Sequence, residues 1–311
     1  MKRRLLWGVA VIPAMAATMV SSSTEAAAIV NGTPAKAYSF VGSLQLTDGG
    51  DPNWHSCGLT LINPWWVETN AHCVTNMPAT TTSGAATAAF RNSYSASASA
   101  EGIDRSDPSI YHIRLGSADR LAGGEVRHVT EIVVHPSWNW GVPDEDGYIN
   151  DIAMMRLDQP VFTLAPALVA PARESREARE VGWGYTVTDP STVAGQPAPR
   201  RLSQINVPVQ PASACAASGI GAGELCLAGG DGGSCNGDSG TAALQQFAGE
   251  WRIAIGSASR GPDTTCGEPG KPGVYTDLSA YRDWMIRTVF GLPEGASTAG
   301  RALDTAAAPA A

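Results

Sequence analysis

The chain has 311 residues, with 21 Lys and Arg against 29 Asp and Glu, for a formal net charge of −8. An acidic balance of that size argues against nucleic acid or an anionic membrane as a partner. Charged residues make up 16 %, and the 34 Gly and 21 Pro suit a loop-rich all-β protein better than a helical one. The length allows one large domain or two small ones.

Residues 1–28 read as a secretory signal peptide, with any short pro-segment included. Lys2, Arg3 and Arg4 make a basic start, Leu5 to Ala17 is apolar, and Glu25-Ala26-Ala27-Ala28 offers small residues for cleavage. The apolar run falls short of the roughly 20 residues a membrane span requires, so export is expected rather than anchoring. Removing this segment takes away three basic residues and one acid, which leaves a formal charge near −10. The six Cys of an exported protein then suggest disulfides. No nucleotide-binding or metal-site spacing appears, so no cofactor and no metal is expected.

Ile29-Val30-Asn31-Gly32 opens the remaining chain. Tyr38 to Leu46 and Ser56 to Val67 alternate or run apolar, as strands do, around the turn signal Asp48-Gly49-Gly50-Asp51-Pro52-Asn53. His72 follows directly in Thr69-Asn70-Ala71-His72-Cys73. Residues 75–109 are rich in Ala, Ser and Thr and read as a mobile surface insertion; because it leaves the segment holding His72, it is also a candidate rim against large substrates. Tyr111 to Gly116 and Val126 to His135 read as strands. Asp151-Ile152-Ala153-Met154-Met155-Arg156-Leu157 is a buried-strand pattern with a carboxylate at its head. A second run of strands begins near Glu180-Val181-Gly182-Trp183-Gly184, and Tyr281 to Val289 has helical spacing. Residues 292–311 have little to bury and read as a disordered tail.

Cys235-Asn236-Gly237-Asp238-Ser239-Gly240 packs two glycines, a carboxylate and a hydroxyl into one short stretch. It is either a surface turn, since Gly, Asp and Ser all favour turns, or a loop that presents Ser239 as a nucleophile. A serine hydroxyl needs a base, and the base needs a group that orients it. His72 and Asp151 sit in settings as particular as that of Ser239. Together the three stretches resemble those of the trypsin/chymotrypsin family of serine proteases, and the order His, Asp, Ser matches that family.

Further motifs extend the resemblance from Ile29 to about Phe290, and the whole resembles a secreted, bacterial member of that family. Ile29-Val30-Asn31-Gly32 is similar to the family's mature N-terminus, His135-Pro136-Ser137-Trp138-Asn139 to the turn before the Asp strand, and Pro272-Gly273-Val274-Tyr275 to a strand of the second half. The resemblance implies an all-β fold: two antiparallel six-stranded β-barrels, residues 29–165 and 166–291, with the active site between them and a C-terminal α-helix. It implies the disulfides Cys57–Cys73, Cys215–Cys226 and Cys235–Cys266. It implies catalysis by His72, Asp151 and Ser239, an oxyanion hole from the N–H groups of Gly237 and Ser239, and a zymogen-like pairing of a freed Ile29 amine with Asp238. Ala28 precedes Ile29, so an enzyme preferring small residues, signal peptidase included, is expected to expose it. Ser257 is expected to bond Asp151, His55 to support the Asp238 loop, and His112, His128 and His135 to be structural.

Two departures from the family pattern stand out. Thr241-Ala242 follows Gly240 where Gly-Pro is usual, and Ser257-Ala258-Ser259 stands where Ser-Trp-Gly is usual. The pocket base of the family lies six residues before the nucleophile, at Gly233. Gly233, Ser234, Ser257, Ser259 and Gly273 are therefore expected to form a substrate pocket without fixed charge. Cleavage after small, apolar or polar residues follows, rather than after Lys or Arg; trypsin-like specificity through Asp231 is the alternative. Expected partners are polypeptide substrates and protein protease inhibitors, and a monomer is expected. A silent binding module on the same fold, or an esterase or transferase using the same acyl-enzyme, are the rival functions. The loop 116–125 has only two carboxylates and is a poor calcium site.

Overall fold

The computed structural model describes residues 28–78, 84–97, 103–193, 195–228, 230–262 and 265–304. Residues 1–27, all but the last of the segment 1–28 expected as a signal peptide, and residues 305–311 lie outside the described residues. Six strands form a first closed barrel: β1 (Val41–Asp48), β2 (Asp51–Asn63), β3 (Trp66–Thr69), β4 (Tyr111–Leu115), β5 (Glu125–Val134) and β6 (Ala153–Leu157), in the order β1-β2-β3-β6-β5-β4. Six more form a second: β7 (Glu177–Gly182), β8 (Ser203–Gln210), β9 (Glu224–Leu227), β10 (Ala242–Phe247), β11 (Glu250–Arg260) and β12 (Gly273–Asp277). Their order is β7-β8-β9-β12-β11-β10, and β7 pairs with both β8 and β10, which closes the ring. The expected all-β architecture of two antiparallel six-stranded barrels is thus present, and both barrels wind in the same strand order.

Alternation explains the strands. On β4, Tyr111, Ile113 and Leu115 are buried, while His112 and Arg114 are only partly so, the period of two that a half-buried strand requires. One large apolar cluster joins both barrels to the closing helix, with Leu59 and Met154 from the first, Trp183 and Leu244 from the second, and Met285, Ile286 and Val289 from helix α2 (Arg282–Phe290). A smaller cluster around Val207, Ile255 and Tyr275 fills the second barrel. Two short pairings brace the junction: Thr33–Pro34 runs antiparallel to β8, and Leu168–Val169 runs parallel to β11.

Two segments differ from expectation. The Ala-rich insertion carries a helix, α1 (Ala85–Ser97), with Ala86, Thr87, Ala89 and Phe90 buried. Residues 292–304, expected as part of a disordered tail, pack back on the domain. Leu303 is buried and its carbonyl accepts the Asn63 side-chain amide at 2.8 Å. Thr298 donates to Asp283 at 2.7 Å. One well-placed Leu and a few hydrogen bonds anchor a segment whose composition alone offers little to bury.

All three disulfides implied by the resemblance are present, Cys57–Cys73, Cys215–Cys226 and Cys235–Cys266. No helix among the described residues is long and apolar enough to cross a membrane.

Candidate active site

β3 and β6 pair antiparallel, with Thr69 opposite Ala153. The end of β3 and the start of β6 therefore lie side by side, which brings the 3₁₀ turn Ala71–Cys73 against Asp151. His72 donates its backbone N–H to Asp151 Oδ1 at 3.0 Å and its Nδ1–H to Oδ2 at 2.8 Å. Both residues are buried. With the Nδ1 proton on the carboxylate side, Nε2 is left as the proton acceptor.

The carboxylate has a further donor, and it is Ser259, not Ser257. Ser259 Oγ lies 2.7 Å from Asp151 Oδ2. Ser257 sits on β11 opposite Ala242 and Thr276, and its buried hydroxyl lies near Glu68. The stretch matching the family's Ser-Trp-Gly is thus Ser259-Arg260-Gly261, two residues later than expected. Short Ser-containing runs repeat here (Ser257-Ala258-Ser259), so spacing alone could not choose between the two registers.

Asn70 is the residue that sequence reading missed. Its Oδ1 accepts the Gly240 N–H at 2.6 Å, and its Nδ2 donates to the Asp151 carbonyl at 2.8 Å. Thr276 Oγ1 donates to the same carbonyl at 2.9 Å. One amide side chain thus ties together the loops that carry His72, Asp151 and Ser239. An Asn beside the His turn is the only signal that could have pointed to it.

Ser239 is half-buried, and no hydrogen bond joins its hydroxyl to His72 in this conformation. Catalytic hydrogen bonds are often long in a free enzyme and tighten with substrate. The loop itself is firmly held. The Ser239 carbonyl accepts the Gly58 N–H at 2.6 Å, next to Cys57, whose disulfide ends at Cys73 beside His72. Thr241, a departure from the family pattern, fits because Gly58 lacks a side chain: a Cβ there would lie 1.7 Å from Thr241 Oγ1. The N–H groups of Gly237 and Ser239 donate to no acceptor among the described residues.

His55 holds the other side of this loop. Its Nε2 lies 2.8 Å from the Gly237 carbonyl and its Nδ1 2.7 Å from Ser43 Oγ. Burial, and then the Arg120 charge, push its pKa down to about 3, so the ring is neutral and serves as a strut. Asp238 is fully buried and accepts the Gly184 N–H at 2.7 Å and the Cys235 N–H at 2.8 Å. Gly182 and Gly184 flank it because a Cβ on either would lie 1.9 Å or 2.3 Å from its carboxylate oxygens. Burial pushes the Asp238 carboxyl up to about 8.

Ile29 and Asp238 do not form an ion pair in this chain. The Ile29 nitrogen is an amide here and donates to the Gly184 carbonyl at 3.4 Å. The side chain is nonetheless fully buried, and Val30 pairs with Gly233.

The adjoining cavity is lined by Gly233, Ser234, Ser239, Ser259 and Gly273, as expected, but not by Ser257. Asp231 is exposed and does not line it. An ionisable group that the sequence reading did not assign, Glu180, does. Helix α1 forms a wall beside the His72–Asp151 pair: the Phe90 ring centroid is 5.5 Å from that of His72 and 5.1 Å from that of Trp138. Arg260 lies over the same ring at 5.0 Å and makes a buried ion pair with Glu224. The two carboxylates of the loop 116–125 are committed to arginines, Asp119 to Arg200 and Arg201, Glu125 to Arg127. Among the described residues the one cluster of potential metal donors, Cys57, His72 and Cys73, has both sulfurs tied up in a disulfide.

Two barrels with a His–Asp pair and a Gly-Asp-Ser-Gly loop at their junction define a chymotrypsin-type serine hydrolase. Residues 29–285 match the family model Trypsin, and the chain belongs to that family. It is 26 % identical over 288 residues to "CLIP domain-containing serine protease B4" of Anopheles gambiae, covering 84 % of this chain and 70 % of that protein. It is 27 % identical over 268 residues to "Trypsin Tyr p 3.0101" of Tyrophagus putrescentiae, covering 79 % of each. With rabbit (Oryctolagus cuniculus) "Vitamin K-dependent protein C" it shares 28 % over 271 residues, covering 78 % of this chain and 50 % of that protein. The chain is a serine endopeptidase, and its substrates are polypeptides.

Proposed function

We propose that the protein is exported and hydrolyses peptide bonds through an acyl-enzyme on Ser239, with His72 as base and Asp151 as its orienting partner. Ser239 Oγ attacks the scissile carbonyl carbon while His72 Nε2 takes its proton. The oxyanion that forms is met by the N–H groups of Gly237 and Ser239, each such donor being worth about 3–4 kcal/mol. His72 then passes its proton to the leaving amine as the tetrahedral intermediate collapses, which breaks the C–N bond and leaves the acyl group esterified to Ser239 Oγ. Water, deprotonated by the same imidazole, releases the second product. Asp151 keeps the ring in the required tautomer and stabilises its charged form. Ile29 becomes the N-terminus when the bond after Ala28 is cut.

The observation that carries this reading is the buried His72–Asp151 bond at 2.8 Å, backed by Ser259 and linked through Asn70 to the Ser239 loop. A silent binding module would have no use for that investment in one imidazole. The test is labelling with a fluorophosphonate. The secreted protein should take up one label, peptide mapping should place it on Ser239, and Ser239→Ala should take up none. An unlabelled, correctly processed wild type refutes the proposal.

A further inference from the structure

Gly233 stands where a side chain would define the floor of the pocket, and the sequence leaves that floor neutral. The fold supplies a carboxylate from elsewhere. Glu180 belongs to β7, with Ile205 of β8 and Ala243 of β10 opposite it. It is 2 % exposed and lines the cavity. Its Oε2 accepts the Ser234 N–H at 2.7 Å. A Cβ built on Gly233 would lie 3.5 Å from that same oxygen. The Glu180 carboxylate therefore lies in van der Waals reach of the position from which a side chain at 233 would grow, and supplies a charge beside that point where Gly233 supplies none.

The carboxylate has no cationic partner among the described residues. Both cations near the cavity are committed. The Arg260 guanidinium is held by Glu224 and by the carbonyls of Ser218 and Gly219. The Lys271 ammonium pairs with Glu268 at 2.7 Å. A buried carboxylate without a counter-charge is costly unless a ligand brings one. Such a group, set at the end of a cleft that starts at the nucleophile, can be completed by a long cationic side chain and by little else.

We propose that Glu180 is the specificity-determining residue of the primary pocket, its carboxylate selecting substrates with lysine or arginine immediately before the scissile bond. The proposal rests on the endopeptidase reading and names its substrate class. It replaces the expectation of a charge-free pocket, and it does not involve Asp231. A guanidinium spreads its donors in a fork and can address both carboxylate oxygens, while an ammonium makes a point contact.

The groups facing Glu180 set its response to pH. Asp238 and Tyr275 lie on the adjoining loop and on β12, and Arg260 and Lys271 border the cavity. Burial pushes Glu180 up to about 7, opposed by the Ser234 N–H and the Tyr275 hydroxyl, while the Glu180 charge in turn disfavours ionisation of Asp238. Cation binding should thus strengthen as pH rises through neutrality, when the carboxylate ionises.

The experiment uses the processed, secreted protein, first shown to take up fluorophosphonate. A panel of peptide anilides differing only in the residue before the scissile bond (Arg, Lys, Gln, Leu, Ala, Glu) is then compared by kcat/KM. Arg and Lys should exceed Leu and Ala by on the order of 100-fold, the scale of a buried charge pair. Glu180→Gln, which can still accept the Ser234 N–H, should collapse the Arg/Leu ratio by a similar factor. Benzamidine, a small cationic probe, should inhibit the wild type competitively, with Ki rising as pH falls from 8 to 6; this needs no variant to fold. A labelled enzyme that prefers a neutral residue, a folded Glu180→Gln with an unchanged Arg/Leu ratio, or a benzamidine Ki indifferent to pH would each overturn the proposal alone. Failure to label would overturn the endopeptidase reading, and this one with it.

Discussion

Asn70 holds three loops with one amide, and its loss can be costed. In Asn70→Ala the Gly240 N–H keeps a second acceptor, the Ala258 carbonyl at 2.9 Å, and the Asp151 carbonyl keeps the Thr276 hydroxyl at 2.9 Å. Neither group is left fully orphaned, so the cost in stability should sit at the low end for a buried pair, about 1–2 kcal/mol. The larger effect should be kinetic. Freed from its tether, the Ser239 loop loses registration against His72, and kcat should fall roughly tenfold with KM nearly steady. Urea unfolding and steady-state kinetics on the same variant separate the two; an unchanged kcat would make Asn70 purely structural. His55 makes a second residue-scale prediction. Its folded pKa of about 3 lies below the ordinary 6.5, so between those values the unfolded chain binds a proton that the native state refuses. Stability should fall by about 1.4 kcal/mol per unit as pH drops from 6.5 toward 3. Thermal midpoints across that window test this, and His55→Gln should flatten that fall. At this scale the sequence was readable where residue type carries chemistry. His72, Asp151 and Ser239 stand in motifs that together resemble one family, and the fold sets His72 against Asp151 at 2.8 Å. Asn70 and Glu180 were not readable, because their roles depend on what the folded chain sets beside them.

Strands and disulfides follow from alternation and resemblance, whereas helix α1 follows from neither. Residues 75–109 look like filler because Ala, Ser and Thr bury little area. The structure finds a large buried side chain there, Phe90. Phe90 is 1 % exposed and packs on Trp138, His72 and Arg260 at once. The insertion is thus a wall of the site over its described part, consistent with a rim that restrains large substrates. Phe90→Ala should cost about 3–5 kcal/mol if the helix stays docked over the cavity it leaves, and less if α1 detaches. Those outcomes differ in a second readout. Detachment should expose the α1 segment to proteolytic nicking and raise turnover of bulky protein substrates relative to short peptides. A variant that matches wild type in midpoint and in the protein-to-peptide ratio would refute the wall. Register within strand β11 marks another limit of sequence reading. Ser257 and Ser259 are two residues apart and face the same way along an ideal strand, and only the three-dimensional position of Asp151 decides which of them serves it.

Both barrels wind in one strand order, and the cleft between them gathers the first barrel's His72 and Asp151 with the second barrel's Gly237, Ser239 and Ser259. The N-terminal segment bears on this junction as a whole. Ile29 is buried with φ of 66°, a conformation that a β-branched residue adopts only under strain. Its nitrogen reaches the Gly184 carbonyl, whose own N–H already bonds Asp238. Cleavage after Ala28 would remove the strain, since a terminal residue has no φ to constrain, and would turn the amide into an ammonium beside a buried acid. Asp238, held up near 8 in the uncut chain, should then ionise readily, while the amine's pKa rises above its usual 7.7–8.0. The sign follows. A cation stabilised in the folded state contributes fully below its ordinary pKa and is lost as pH climbs through the raised one. The processed enzyme should therefore lose fluorophosphonate reactivity on the alkaline side, somewhere above pH 8, through collapse of the loop carrying the Gly237 and Ser239 N–H groups. The uncut chain should react slowly at every pH. Asp238→Asn in the processed form should react on the order of 10²–10³-fold more slowly than wild type, because it strands a buried ammonium. N-terminal sequencing identifies the form in each assay, and equal labelling rates for the cut and uncut chains would break the link between this terminus and the site.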